Sequence, residues 1–548
     1  MSGYDYIIVG GGSAGCVLAN RLSANPDTQV ALIEAGPSDR SFPASVKTAL
    51  PIGNVFLLPH ARYNWQYEFT GGSGVNDRAI PCPRGKLLGG CSSVNGSVYI
   101  RGHRADYDAW LAAGNPGWGY DDVLPAFRRH ERREGGDTRY HGRDGELDVR
   151  QPRSPSQLSK DFVAAAVTAG HATNSDFNGE SQDGFGVWDV NQRNGLRLSS
   201  SRAFLHPVWS RPNLSVLTDT LVERVDFSGT TATGVTVVRD GRRERLTASC
   251  EVILAGGAIN SPQLLMNSGV GGAAALQQHG IDTVVSLPGV GRNLQDHASA
   301  VVASTDTSGL SMALSWRSMP RLSASPMSYL LNRTGLLASN AAEAGGFIRT
   351  MPDLDRPDVQ LTLLTALKTS ARVIPREHGI MVFVSLLRPR SRGTVELRSA
   401  RPDDRPILRP AFLEDPRDMA ALVRGVRETR RVLAAQPLAR HLGGELIPGA
   451  AAQSDAQIEA AIRSGLTTVY HPVGTCKMGP QTDAQAVVDA NLRVYGTSRL
   501  RVVDASIMPT IVSGNTSAPV MMIGERAAEF ILGAATVTAS SAVESFAV

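Results

Sequence analysis

The chain has 548 residues, of which 42% are hydrophobic and 19% charged, with a formal net charge of +4. That length exceeds what one ordinary core supports, so at least two domains are expected, and the composition excludes a disordered or membrane-spanning chain. The small net charge, without a long basic run, argues against nucleic acid as a partner, and five scattered cysteines without a C-x-x-C pair suggest neither a disulfide framework nor a zinc cluster.

Strand, turn, helix and strand open the chain. Tyr4–Val9 is a short apolar run of the buried parallel type, and Ala14, Val17, Leu18 and Leu22 mark one face of a helix that Asn25-Pro26-Asp27 stops. Val30–Ile33 supplies a second buried strand. A first strand near Tyr4 leaves no room for a secretory signal, and no run of about 18 apolar residues exists to span a bilayer. The cytoplasm is the expected location.

Residues 151–208 are mixed and polar, with a helix expected around Lys160–Ala169. Strands are expected at Leu214–Leu217, Val222–Phe227, Thr233–Arg239 and Cys250–Leu254, then at Val359–Leu364 and Ile380–Leu387, with a charged helix at Pro416–Leu433. Leu310–Trp316, followed by Met319 and Met327, reads in three ways: an apolar lid over a substrate cavity, a patch touching a membrane surface, or a segment buried in the core or at a subunit contact. The last sixteen residues are small, polar and non-periodic, and are expected to fray.

Gly10-Gly11-Gly12-Ser13-Ala14-Gly15 fits G-x-G-x-x-G, directly after a strand and at the start of a helix. Gly10 permits the tight turn, Gly12 lets backbone approach a pyrophosphate, and Gly15 lets the helix pack close to the strand. The helix N-terminus then offers unpaired N–H groups to phosphate oxygens. Glu34 closes the second strand, where a carboxylate can accept both ribose hydroxyls and disfavours a 2′-phosphate. On these residues FAD and NAD both remain open.

Five further segments carry a family resemblance. Gly85–Gly96 resembles the first signature of the glucose–methanol–choline (GMC) oxidoreductases, and Gly257–Leu265, ending Ser268–Gly271, resembles their second. His471–Thr475 and Asp504–Pro509 are similar to the family's C-terminal catalytic and flavin-contacting segments, and Gly289–His297 to a family turn. The resemblance runs in order from residue 4 to about residue 532.

It implies an α/β fold, with a Rossmann-like FAD-binding domain (1–150, 209–300 and 480–535) and a discontinuous α+β substrate domain built on an antiparallel sheet (151–208 and 301–479); 536–548 would be a frayed tail. It implies FAD as cofactor, approached by Gly10, Gly12, Ser13, Ala14 and Gly15, by Glu34, Ala35 and Trp65, and by Gly89, Ser93, Asn95, Gly96 and Val98. Val222, Ala255, Gly256, Tyr470, Asp504, Ala505, Asn515 and Thr516 complete that set. Ala255–Ala258 would precede a helix beginning near Ser261-Pro262, where a first-turn proline is favourable. Some members link flavin covalently to a histidine in the first-signature loop; Val94 stands in that neighbourhood and cannot, so non-covalent FAD is expected.

Hydride leaves the α-carbon of an alcohol readily only as negative charge builds on oxygen, so the reaction needs a base near the hydroxyl proton and a donor near the oxygen. The resemblance places His471 as the base and Asn515 as its partner, with hydride passing to the flavin N5. The expected reaction is oxidation of a primary alcohol to an aldehyde. Val98–Gly102 and Glu343–Phe347 are similar to choline dehydrogenase and to relatives acting on aliphatic or aromatic primary alcohols, so a choline dehydrogenase or oxidase is the alternative, with Glu343 and Tyr470, beside His471, as substrate contacts for a quaternary ammonium. A lyase that keeps FAD without redox chemistry is the alternative from another class. Quinone, carrier protein or dioxygen remains open as electron acceptor, with dehydrogenase favoured; the oligomeric state is open. No metal is called for, because the histidines show no H-E-x-x-H or comparable spacing.

Overall fold

The structure, a computed structural model, describes residues 3–367 and 375–545, with side chains through residue 533. Gly3–Val9 pairs in parallel with Val30–Ile33 on one side and with Arg242–Leu254 on the other. Leu214–Leu217 extends the sheet beyond Val30–Ile33, and Leu500–Val502 pairs with the end of Arg242–Leu254. Thr220–Ser228, Thr231–Arg239 and Arg242–Leu254 form an antiparallel meander at the other edge. Ile7, Ile8, Ala31 and Leu32 are all fully buried, as strands covered on both faces require.

The glycine turn shows why these positions admit no side chain. Gly10 has φ +111°, and a Cβ there would lie 2.4 Å from the Ala255 carbonyl oxygen. A Cβ on Gly15 would lie 2.0 Å from the Gly10 oxygen, so helix Ser13–Leu22 can pack this close only with glycine. The C-terminal helix Ser517–Ser545 packs against that first helix.

The second sheet is antiparallel, in the order Leu442–Ile447, Ala298–Asp306, Gly379–Leu386, Val359–Leu364, Ala344–Ile348, Gly184–Val187. Its register places Val302, Val382 and Leu363 on one face, all fully buried beneath the helices Pro416–Leu433 and Gln157–Thr168. The alternate residues Val301, Phe383, Met381 and Leu364 face the other way, into a cavity between the two sheets.

Some expectations shift. Tyr67–Phe69 and Ile80–Cys82 pair with each other and, through Ile407–Arg409, join the core of the second sheet, although they lie within 1–150. Conversely, Leu198–Leu205 and Val473–Met478 pack in the first core. The helix placed near Ser261-Pro262 spans Gly257–Asn267, with Pro262 inside it. The backbone of the C-terminal helix runs to Ser545, through most of the tail expected to fray; 546–548 lie outside the described residues.

Candidate active site

A cavity of about 1450 Å³ runs from the glycine turn to the inner face of the second sheet. At one end lie Gly10, Gly12, Ser13 and Ala14, at a helix N-terminus whose first amides have no side-chain cap. Glu34 and Ala35, at the end of the second strand, line the same end, as do Val222, Ala255 and Gly256. The Glu34 carboxylate accepts Gly11 N–H at 3.0 Å and Gly36 N–H at 2.9 Å. Burial nevertheless pushes its pKa up to about 7. These N–H bonds aim the carboxylate while leaving lone pairs for two hydroxyls.

Farther along, Trp65, Asn95, Gly96 and Val98 form the wall with Gly90, Cys91 and Val94. Val94 occupies the wall with a side chain that cannot bond covalently to a flavin. Three expected cofactor contacts sit behind the wall. Gly15 packs under Gly10; Gly89 donates its N–H to Gly11 O at 2.7 Å; and the fully buried Ser93 hydroxyl donates to Leu88 O at 2.7 Å. Gly89 thereby joins the two glycine loops, while Gly15 and Ser93 each brace their own loop. Free helix amides, a carboxylate at the strand end and a long apolar trough match the phosphates, ribose and ring system of FAD.

Tyr470, His471, Asp504, Ala505, Asn515 and Thr516 close the middle of the cavity. Asp504 accepts Gly257 N–H at 2.8 Å and the Ser261 hydroxyl at 2.5 Å, fastening the second-signature turn. Tyr470 stands at φ +67°, a left-handed conformation that costs a non-glycine residue about 1–2 kcal/mol. Its surroundings over-determine that conformation. The Thr468 hydroxyl accepts Tyr470 N–H at 2.7 Å, Arg84 donates to Tyr470 O at 2.5 Å, and Asp296 accepts His471 N–H at 2.7 Å.

The imidazole of His471 meets a partner that the sequence reading passed over. His297 Nδ1 lies 3.0 Å from His471 Nδ1, and His297 Nε2 lies 3.1 Å from Val512 O. A carbonyl only accepts, so His297 carries its proton on Nε2. Burial holds the His297 pKa down at about 4, so its Nδ1 is a bare acceptor at neutral pH. His471 must therefore donate from Nδ1, which leaves the lone pair on its Nε2. Burial, the neighbouring His297 and then Arg84 keep the His471 pKa well below the usual 6.5. Asn515 Nδ2 lies 3.4 Å from His471 Nε2, and Gln360 donates to Asn515 Oδ1 at 3.4 Å, which turns the amide nitrogen toward the imidazole. His297 closes the Gly289–His297 turn; that turn was the available signal.

Thr475 explains the internal proline. Pro262 has no N–H for the carbonyl of Ala258, four residues earlier, and the Thr475 hydroxyl donates to that oxygen at 2.6 Å. The segment carrying His471 is thereby tied to the helix whose start lines the cofactor end.

Glu343 is a correction. Instead of facing the cavity it is 1% exposed and accepts Ser156 N–H at 2.7 Å, the Ser159 hydroxyl at 2.9 Å and the Ser339 hydroxyl at 2.6 Å. It ties the start of helix Gln157–Thr168 to Ser339, and its buried carboxylate is turned away from the cavity.

The GMC oxidoreductase model matches residues 4–299, and its C-terminal counterpart residues 389–524. The chain is 45% identical over 533 residues to an alcohol dehydrogenase [acceptor] of Pseudomonas putida, covering 96% of each chain. It is 43% identical to the mitochondrial choline dehydrogenase of Mus musculus, over 97% of this chain and 89% of that protein. Among solved structures, pyridoxine 4-oxidase from Mesorbium loti superposes with a TM-score of 0.86 at 31% identity, covering 96% of this chain and 98% of that one. Formate oxidase superposes at 0.88 and 27% identity, covering 97% and 98%. With the family's two models matched over residues 4–299 and 389–524 and a relative 45% identical along nearly the whole chain, this chain belongs to the GMC oxidoreductase family.

Proposed function

We propose that this chain binds FAD non-covalently in the cavity and oxidises a primary alcohol to its aldehyde, passing the electrons on to an external acceptor. The observation that carries this reading is the hydrogen-bond chain from Val512 O through His297 to His471, which leaves a lone pair on His471 Nε2 at the cavity wall. Bound FAD supplies the hydride acceptor. The chain's own residues manage the proton: His471 Nε2 takes it from the alcohol hydroxyl, while the Asn515 amide donates to the oxygen as charge grows there. His297 Nδ1 accepts from the resulting imidazolium and stabilises it. With bound FAD to take up the hydride, the alcohol would leave as the aldehyde and its hydroxyl proton would rest on His471.

The substrate end supports an apolar alcohol. Val301, Leu364, Met381 and Phe383 face the cavity from the second sheet, joined by Met312 and Leu322. With Glu343 committed to a helix start, the choline reading retains the Tyr470 ring as its support. The test is anaerobic mixing of the FAD-loaded protein with a panel of primary alcohols, choline included, while following flavin absorbance. Bleaching by apolar primary alcohols is expected. Absence of bleaching by every alcohol would overturn the reading in favour of a non-redox lyase. Repeating the active cases with dioxygen, a quinone or a carrier protein identifies the acceptor.

A further inference from the structure

Among the described residues, fourteen large apolar side chains are exposed, and six of them fall between residues 314 and 331: Leu314, Trp316, Met319, Met327, Leu330 and Leu331. Helix Met319–Asn332 turns most of its large apolar side chains outward. Its buried residues are Ser325 and Tyr329, while Leu330 and Leu331 are 67% and 72% exposed and Trp316, just before it, is 80% exposed. An ordinary surface helix turns its leucines inward and its serines outward. A contiguous outward apolar face of this kind marks an interaction surface.

Charge selects the partner. From Thr307 to Ala342 the sequence carries Arg317, Arg321 and Arg333 and no aspartate or glutamate. The Arg317 guanidinium lies over the Trp316 ring, 5.5 Å from its centroid, which keeps a cation beside the exposed aromatic side chain of this segment. Apolar side chains and an interfacial tryptophan rimmed by arginine suit the headgroup boundary of an anionic bilayer. Self-association suits it less: two copies meeting on this patch would bring six arginines together, with no carboxylate in the segment to pair them. Position adds a reason for the contact. Leu322, Ser325 and Pro326 of the same helix line the cavity, so the helix separates the substrate space from the surface it exposes.

We propose that helix Met319–Asn332, with the turn carrying Trp316, docks in the interface of an anionic phospholipid bilayer and holds the substrate end of the cavity against lipid. The docking goes beyond the proposed reaction, and only the naming of the covered end as the substrate end rests on that reading. The test is flotation of the FAD-loaded full chain with vesicles of equimolar phosphatidylcholine and phosphatidylglycerol, alongside phosphatidylcholine alone. Binding to the anionic vesicles, weakened by salt, is expected. Leu330→Ser/Leu331→Ser should lower the partition coefficient on the order of 100-fold, since each buried leucine is worth roughly a factor of ten or more. As a readout independent of that variant, brominated lipid should quench tryptophan emission, and Trp316→Phe should remove the quenching. No flotation with either vesicle, flotation unaffected by Leu330→Ser/Leu331→Ser, or a dimer that this variant dissociates in the absence of lipid would each overturn the proposal.

Discussion

Replacing Thr475 with valine keeps the side-chain shape and deletes one hydroxyl. That hydroxyl donates at 2.6 Å to the Ala258 carbonyl, the one whose usual helical donor Pro262 lacks. Thr475 is fully buried, so water cannot take its place without rearrangement. Leaving a buried acceptor without its donor costs about 1–3 kcal/mol. Thr475→Val should therefore destabilise the FAD-loaded protein by about that amount, read from denaturant midpoints by tryptophan fluorescence. A second substitution makes the reasoning specific. In a Pro262→Ala background residue 262 regains an N–H that can bond Ala258 O, so Thr475→Val should then cost less than about 1 kcal/mol. Equal losses in the two backgrounds would refute the link between the internal proline and the threonine.

Three further substitutions have expected outcomes. His297→Leu removes the acceptor of His471 Nδ1–H and should slow anaerobic flavin reduction by roughly 10–100-fold, the worth of a hydrogen bond to a charged group. The same substitution bears on stability against pH. The His297 pKa falls from the ordinary 6.5 to about 4 on folding, so below 6.5 the unfolded chain binds the proton more readily. Stability linked to this group is full above pH 6.5 and lost as pH falls toward 4, about 3 kcal/mol in all, and His297→Leu should remove that part of the slope in denaturant midpoints measured across pH. Glu34→Ala should raise the Kd for FAD by roughly 10–100-fold, measured by flavin fluorescence, through loss of the ribose hydrogen-bond acceptor. Glu343→Ala should lower stability by about 2 kcal/mol and leave the selectivity between choline and apolar alcohols unchanged in steady-state assays, because the carboxylate serves a helix start.

What could be read in advance was local in sequence. The opening strand, turn and helix, with Glu34 at the second strand end, lie within 34 residues, and periodicity together with glycine placement suffices there. The strands Leu214–Leu217 and Val359–Leu364 and the helix Pro416–Leu433 coincide with their apolar patterns. What escaped depends on contacts between distant segments. His297 and His471 are separated by 174 residues, and neither carries a local sign that it faces the other. Glu343 caps a helix start 187 residues earlier, and next to two glycines its type alone suggested a ligand contact. Gly89 and Ser93 belong to a motif that touches the cofactor loop, yet the Gly89 amide turns to the backbone of the glycine turn and the Ser93 hydroxyl to the backbone of its own loop. Pro262 looked like a helix start because its missing N–H is harmless there; the replacement donor comes from a segment more than two hundred residues away.

The central claim is that His471 Nε2 accepts the alcohol proton. Anaerobic rapid mixing of FAD-loaded wild type and His471→Ala with a substrate alcohol tests it most directly. Unchanged flavin content and a flavin-reduction rate lowered roughly 10²–10⁴-fold are expected in the variant. Reduction at the wild-type rate in a folded, FAD-loaded His471→Ala protein would contradict it.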